Sequence, residues 1–183
     1  DGVISLGGGG GTAIGTAAMR ALPLGFPKLM VSTLASGNTA HYLGTKDIVM
    51  MPSIPDVAGL NRLSRVIFSR AAGAICGMVE AEVGTASAKP LVVASMFGNT
   101  TACVTEAKRL LEDAGYEVLV FAATGAGGRS MEALIESGMV AGVLDLTTTE
   151  WADELVGGSL TAGPERMDAA AKAPRAGVRG FPP

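Results

Sequence analysis

Five consecutive glycines, Gly7 to Gly11, followed by Thr12, constrain this chain more than any other stretch. They separate a short apolar run, Gly2-Val3-Ile4-Ser5-Leu6, from an alanine-rich, helix-like stretch, Thr12 to Leu22. Strand, glycine loop and helix in that order present backbone N–H groups to an anion. Glycine lets the backbone turn sharply and approach a ligand closely, because no Cβ intrudes. The expectation is a phosphate-binding loop in an α/β protein; the alternative is a tight turn without a ligand. From Gly2 to Lys46 there is no Asp or Glu, whereas Arg20, Lys28 and Lys46 are present. In a chain of net charge −3 this local lack of carboxylates favours an anion.

Apolar residues make up 48% of the 183 residues and charged ones 17%, which suits parallel strands buried under helices on both faces. Aromatics are few and no basic stripe occurs, so nucleic-acid binding is not expected. Cys76 and Cys103 lie far apart and give no disulfide framework and no metal spacing, and with the single His41 no histidine-based zinc site is expected. No apolar run reaches membrane-spanning length and no signal-peptide pattern occurs, so a cytoplasmic protein that does not engage membranes is expected. The chain opens at Asp1 inside an apparent strand, which predicts missing upstream sequence.

The periodicity predicts a second strand over Lys28–Thr33, a polar loop Ala35-Ser36-Gly37-Asn38-Thr39, and a third strand over Asp47–Met51 stopped by Pro52 and Pro55. Asp56 is then expected to cap a long helix from Val57 to about Val83. Its buried face would be Leu60, Leu63, Ile67, Ala71, Ile75 and Met78, and Gly73 and Gly77 would admit a close neighbour. Residues 84–89 read as a linker. Beyond it the pattern predicts strands at Pro90–Met96, Glu117–Ala122 and Gly142–Leu146. Helices are expected at Thr100–Ala114 (stopped by Gly115), Arg129–Ser137 and Glu150–Val156. Such alternation implies an α/β fold of parallel βα units of Rossmann-like type. Two part-domains are expected, 1–83 and 90–170. The stretch from Ala169 is expected to fray, with 171–183 a disordered tail.

Four polar strand-to-helix turns carry the candidate chemistry. The first, Gly7, Gly8, Gly9, Gly10, Gly11 and Thr12, lacks the lysine of the nucleoside-triphosphatase loop. It matches the dinucleotide fingerprint only loosely, through Gly8, Gly10 and Ala13. No acid follows the second strand to hold a ribose, so NAD is disfavoured and generic nucleotide or phosphate binding kept. Ser32, Thr33, Ser36, Gly37 and Asn38 would assist from the next turn. The second glycine turn, Thr124, Gly125, Ala126, Gly127, Gly128 and Arg129, offers amides and a guanidinium that is either a phosphate fork or a surface side chain. Gly98-Asn99-Thr100-Thr101 and Asp145-Leu146-Thr147-Thr148-Thr149-Glu150 complete the set, Thr147 and Glu150 fitting a capping box. Asp145, Glu150, Asp153 and Glu154 could assist a magnesium ion or merely cap and solvate helices. Cys103 lies where a helix dipole lowers a thiol pKa, but a buried apolar role is favoured; Cys76 reads as core and His41 as a loop residue.

Several longer stretches resemble one family. They include Leu6–Thr12, Ala18-Met19-Arg20-Ala21-Leu22-Pro23, Pro27-Lys28-Leu29-Met30-Val31-Ser32-Thr33, Gly44-Thr45-Lys46-Asp47-Ile48 and Ala58-Gly59-Leu60-Asn61-Arg62. Met96-Phe97-Gly98, Gly115–Phe121, Ala123-Thr124-Gly125 and Asp145–Glu150 follow. From Gly2 to about Ala170 the chain is similar to the family of the tomato mosaic virus resistance protein and its uncharacterised bacterial relatives. The resemblance implies two α/β domains in a longer chain, ATP binding and a homodimer. For the plant member it implies inhibition of viral RNA replication by binding the viral replication protein. Two departures stand out: the family pattern has a histidine where this chain has Ala122, and the tail after Ala173 does not continue the family's strand.

The first expectation is therefore a nucleotide-binding protein, taking ATP with or without magnesium at the first glycine turn, and forming a homo-oligomer. A second is an enzyme acting on a phosphorylated or carboxylated metabolite around Arg129, Thr101, Cys103 and Asp145. A third is a protein-interaction module. No catalytic residue is assigned.

Overall fold

The computed structural model describes residues 1–84 and 89–172. The expected linker falls mainly on 85–88 and the expected tail mainly on 173–183, both outside the described residues. The chain divides into two compact units, the first being Asp1–Gly84. Both are parallel α/β units.

The first unit runs β1 (Val3–Gly7), α1 (Gly9–Arg20), β2 (Lys28–Ser32), α2 (Ala40–Leu43), β3 (Val49–Pro52) and α3 (Arg62–Glu80). The sheet order is β1-β2-β3, all parallel, with Gly7 opposite Ser32 and Ser32 opposite Pro52. All five residues of β2 are buried, because helices cover the central strand on both faces. Met30 packs with Met19 and Ile48 on one face; Leu29 and Val31 pack with Ile67 and Ala71 of α3 on the other. Each such Met, Leu, Ile or Val side chain stabilises the fold by about 1.5–3 kcal/mol when fully buried.

β2 opens on Lys28, which is fully buried. Its ammonium donates to the carbonyls of Pro23 (2.8 Å) and Phe26 (2.7 Å) and pairs with Asp47 at 2.7 Å. Burial pushes the Asp47 carboxyl up, but the Lys28 ammonium and the Gly25 N–H more than offset this and hold it below its ordinary 3.8. Lys28, expected to favour an anion at the glycine turn, instead lies at the opposite end of its strand, about 13 Å away at ~3.3 Å per residue. Arg20 and Lys46 are likewise spent on the carbonyls of Tyr42 and Leu22.

The long helix starts later than expected. Gly59 has φ +82, a left-handed conformation that breaks the chain path, and Asp56 reaches only the N–H of its neighbour Val57. Asn61 is the true cap. Its Oδ1 accepts from Leu63 and Ser64 N–H (both 2.9 Å), while Ser64 Oγ accepts from Asn61 N–H at 2.8 Å. Leu60 and Leu63 are consequently exposed; the covered face is Ser64, Ile67 and Ala71. Gly73 and Gly77 face open space rather than a neighbouring helix within this unit.

The second unit runs β4 (Leu91–Met96), a 3₁₀ turn (Gly98–Thr100), α4 (Thr101–Asp113), β5 (Glu117–Ala122), α5 (Ala126–Glu136), β6 (Gly142–Asp145), α6 (Thr149–Val156) and α7 (Asp168–Lys172). The order is β5-β4-β6, parallel throughout. α4 covers Val92, Ala94 and Val118 through Val104 and Leu111. α5 covers Val93 through Met131, Leu134 and Ile135, together with Ala169 of α7. The stretch from Ala169, expected to fray, is helical to Lys172: Glu132 accepts from the Met167 and Ala169 amides, and Ala169 is buried. Gly115, with φ +92, ends the α4 segment where expected. The glycine turns are shorter than expected in both units, because α1 begins at Gly9 and α5 at Ala126.

Candidate functional site

Parallel strands bring every strand-to-helix turn of a unit to one edge, where α/β proteins bind ligands. In the first unit Gly7 and Gly8 close β1, and Gly9, Gly10 and Gly11 form the first turn of α1. The first-turn amides of a helix have no intrahelical acceptor, and no side chain caps those of α1. These three glycines are exposed, and a β-carbon on Gly9 or Gly10 would meet nothing within 4 Å. Gly8 is flanked by two side chains from neighbouring turns. A β-carbon built there would stand 3.7 Å from the Thr33 hydroxyl, after β2, and 3.7 Å from the Asp56 carboxylate, after β3.

Beneath this rim sit Thr12 and Ser32, both fully buried. Thr12 Oγ1 donates to Gly8 O at 2.7 Å and lies 2.6 Å from Ser32 Oγ, which accepts from Leu34 N–H at 3.0 Å. These hydroxyls tie the glycine turn to β2 rather than facing outward. Gly7 is buried as well; a β-carbon on it would stand 2.8 Å from Gly11 Cα. Ser36, Gly37 and Asn38 are exposed, Gly37 N–H donating to Leu34 O and Asn38 Oδ1 accepting from Ala40 N–H. His41 lies in α2, its ring stacked at a tilt on Tyr42.

The second unit reads differently. The amides of Gly125 and Gly128 donate to one oxygen of Glu150, at 2.6 and 3.0 Å. The other oxygen receives Arg166 Nε at 2.7 Å. Arg166 also forks onto Asp145, at 2.6 and 2.9 Å, and reaches Glu132 at 3.0 Å. Burial opposes its charge, but hydrogen bonds to Asp145 and Glu150 more than offset this and raise its pKa further. The guanidinium is therefore permanently charged. The expected capping box of Thr147 and Glu150 does not form. Thr147 bonds to Ser95 and Thr100, and Glu150 turns inward to α5. Ser95 Oγ donates to Asp145 at 2.6 Å, bridging the ends of β4 and β6.

Other expected groups are engaged or misplaced. Thr124 Oγ1 donates to Ala122 O, and Gly127 packs on the Ala122 backbone. Arg129, an exposed side chain, donates from one guanidinium nitrogen to Thr161 O at 3.0 Å. Asp153 accepts from Leu160 N–H, and Thr161 Oγ1 donates to Glu154. Cys76 and Cys103, expected to be buried, are both exposed. Among the described residues, no group of three or more His, Cys, Asp or Glu is placed to hold a metal ion, and no buried side-chain polar atom lacks a partner. No helix among them is long and apolar enough to cross a membrane.

Sequence reasoning missed Arg166 and Glu132, and gave Asp56 the wrong role. Asp56 had a positional signal, since it follows the third strand and so must lie on the same edge as the glycine run. Arg166 had none: the stretch from Gly157 to Met167 carries no period.

Fold and sites together define a two-unit parallel α/β protein with strand-to-helix turns gathered on each sheet's carboxyl edge. Residues 1–84 match the N-terminal domain of the uncharacterised protein family UPF0261, and residues 89–176 match its C-terminal domain. The chain belongs to this family, and the resemblance drawn from the motifs holds. It is 60% identical over 170 residues to a UPF0261 protein of Clostridium tetani, covering 92% of this chain and 42% of that one. A UPF0261 protein of Mesorhizobium japonicum is 55% identical over 170 residues, 93% of this chain and 43% of that one. The ToMV resistance protein Tm-1(GCR237) of Solanum lycopersicum is 48% identical over 174 residues, 92% of this chain and 23% of that one. The chain thus spans less than half the length of these relatives.

Proposed function

We propose that the first unit binds the phosphate end of a nucleotide of ATP type at the amino end of α1. The observation that carries this reading is the open first turn, Gly9 to Gly11, with exposed, uncapped amides and room above them. A helix amino terminus carries roughly half a positive charge, which suits a phosphate. Thr33 beside Gly8 adds a hydroxyl. Asp56 adds a carboxylate that would repel a bare anion but suits a magnesium ion carried with the phosphates. Thr12 and Ser32 hold the turn in place from below. The homo-oligomer and the cytoplasmic setting belong to the same proposal and rest on the resemblance and the sequence pattern.

The enzyme reading has less support. Three of its four residues already hold partners within the chain: Asp145 pairs with Arg166, the Thr101 hydroxyl donates to Gly98 O, and Arg129 donates from one nitrogen to Thr161 O. An interaction role rests on likeness to the tomato resistance protein.

Titration calorimetry of ATP, with and without magnesium, tests the proposal. The Gly9→Val/Gly10→Val double variant fits the fold, because both positions open to space, but places side chains where phosphate would sit. A loss of at least about tenfold in affinity, equal to about 1.4 kcal/mol, is expected. No binding of ATP or inorganic phosphate by the unaltered chain, or equal affinity in the variant, overturns it.

A further inference from the structure

We infer that the exposed face of α3 docks an acidic helix of another protein, held between Arg65 and Arg70. The inference does not depend on the ligand proposed for the glycine turn. Among the described residues, Arg62, Arg65 and Arg70 form no hydrogen bond or ion pair, whereas every other Lys and Arg holds a partner. All three lie exposed on this one helix. Between Asn61 and Val79 there is no Asp or Glu, so no carboxylate stands a turn away on the helix to neutralise them.

Helical spacing sets what lies between these arginines. α3 covers its sheet through Ser64, Ile67 and Ala71. On the opposite side Val66, Ser69, Gly73 and Cys76 follow the alternating three and four spacing of a helix-pairing line, and all four are exposed. Arg65 precedes Val66 and Arg70 follows Ser69, which puts them on opposite flanks of that line. Charges at those flanking positions set the choice of partner for a paired helix. Val66, 44% exposed, offers an apolar contact. A β-carbon on Gly73 would meet nothing within 4 Å, so a partner backbone can come close there.

Charge selects the occupant. A second α3 does not fit, because in either direction arginine would face arginine across the line. A helix with Asp or Glu on both flanks answers them instead. A nucleic acid calls for a longer track of cations, whereas Arg62 to Arg70 covers only about 12 Å of helix axis at 1.5 Å per residue. A lipid surface calls for bulky apolar side chains where this face has Ser69, Gly73 and Cys76.

The probe is a synthetic helical peptide with Ala and Leu along its pairing line and Glu on both flanks. Its control carries Lys on the flanks. Each is titrated into the full chain while affinity and the α3 amide resonances are followed. The Glu peptide should bind, move the Arg65 and Gly73 resonances and weaken with added salt, and the Lys peptide should not bind. Arg65→Glu/Arg70→Glu should lose at least about tenfold in affinity for the Glu peptide and gain the Lys peptide. Gly73→Leu keeps every charge and should also weaken the Glu peptide, which general attraction for acidic chains would not produce. Should the double charge reversal not fold, Arg65→Gln/Arg70→Gln decides, with loss of the Glu peptide again expected. No binding of the Glu peptide, equal binding of both peptides, or unchanged affinity in the variants overturns the inference. So does preference of the same resonances for an RNA oligonucleotide or for phosphatidylserine vesicles. Self-association of the chain that Arg65→Glu/Arg70→Glu abolishes overturns it as well, since the occupant is then a second copy.

Discussion

The hydroxyls of Thr12 and Ser32 lie 2.6 Å apart, fully buried, and couple the first turn of α1 to the end of β2. Through Thr12 Oγ1 this pair also reaches Gly8 O at 2.7 Å, so the glycine turn is held by side chains twenty residues apart in the chain. Thr12→Val preserves shape and removes the donor, leaving Gly8 O and Ser32 Oγ short of a partner. A loss of about 1–3 kcal/mol is expected in urea unfolding. Ser32→Ala should lose less than the sum when combined with Thr12→Val, since the two share one interaction.

The two glycine turns should respond oppositely to alanine. Gly10 lies in the first turn of a helix with open space around it, so Gly10→Ala should be neutral or stabilise by up to about 1 kcal/mol. A β-carbon on Gly127 would stand 1.8 Å from Ala122 O, a backbone atom that cannot swing aside. Gly127→Ala should destabilise by about 1–3 kcal/mol or more. Thermal melts of both variants check the contrast.

Asp47 should make the first unit sensitive to acid. Its carboxyl is held below the ordinary 3.8, so the folded state releases the proton more readily than the unfolded one. The stabilisation is complete above that ordinary value and is lost as pH falls through the lower folded one. Asp47→Asn leaves the buried Lys28 ammonium with two carbonyls and no counter-charge, and at pH 7 should lower stability by about 1–3 kcal/mol. Denaturation midpoints of the two proteins should draw together as pH falls below 3.8.

Arg166→Met should be among the most damaging single changes in the second unit. It removes the guanidinium shared by Glu132, Asp145 and Glu150 and leaves the buried Glu150 and the two partly buried carboxylates without that counter-charge. Breaking a buried ion pair by removing one partner costs about 3–5 kcal/mol. Thermal melts of the variant and the unaltered chain at pH 7 read this loss.

The sequence alone determined the parallel α/β architecture. Strands at Glu117–Ala122 and Lys28–Ser32 are apolar runs between breakers, and Gly115 marks its helix end by local backbone chemistry. Those signals are short-range, so a linear reading captures them. What only the tertiary structure decided is which polar groups are already spoken for. Glu150 and Gly125 are twenty-five residues apart, and Arg166 comes from a stretch without period. Their meeting depends on the crossing of chain over the end of α5, which no local pattern encodes. The same holds for Lys28, whose charge is consumed at the far end of β2, and for Asp56, which arrives beside Gly8 because parallel strands end on one edge. Periodicity reports which face of an element is buried; it does not report which donors and acceptors find each other once distant turns converge.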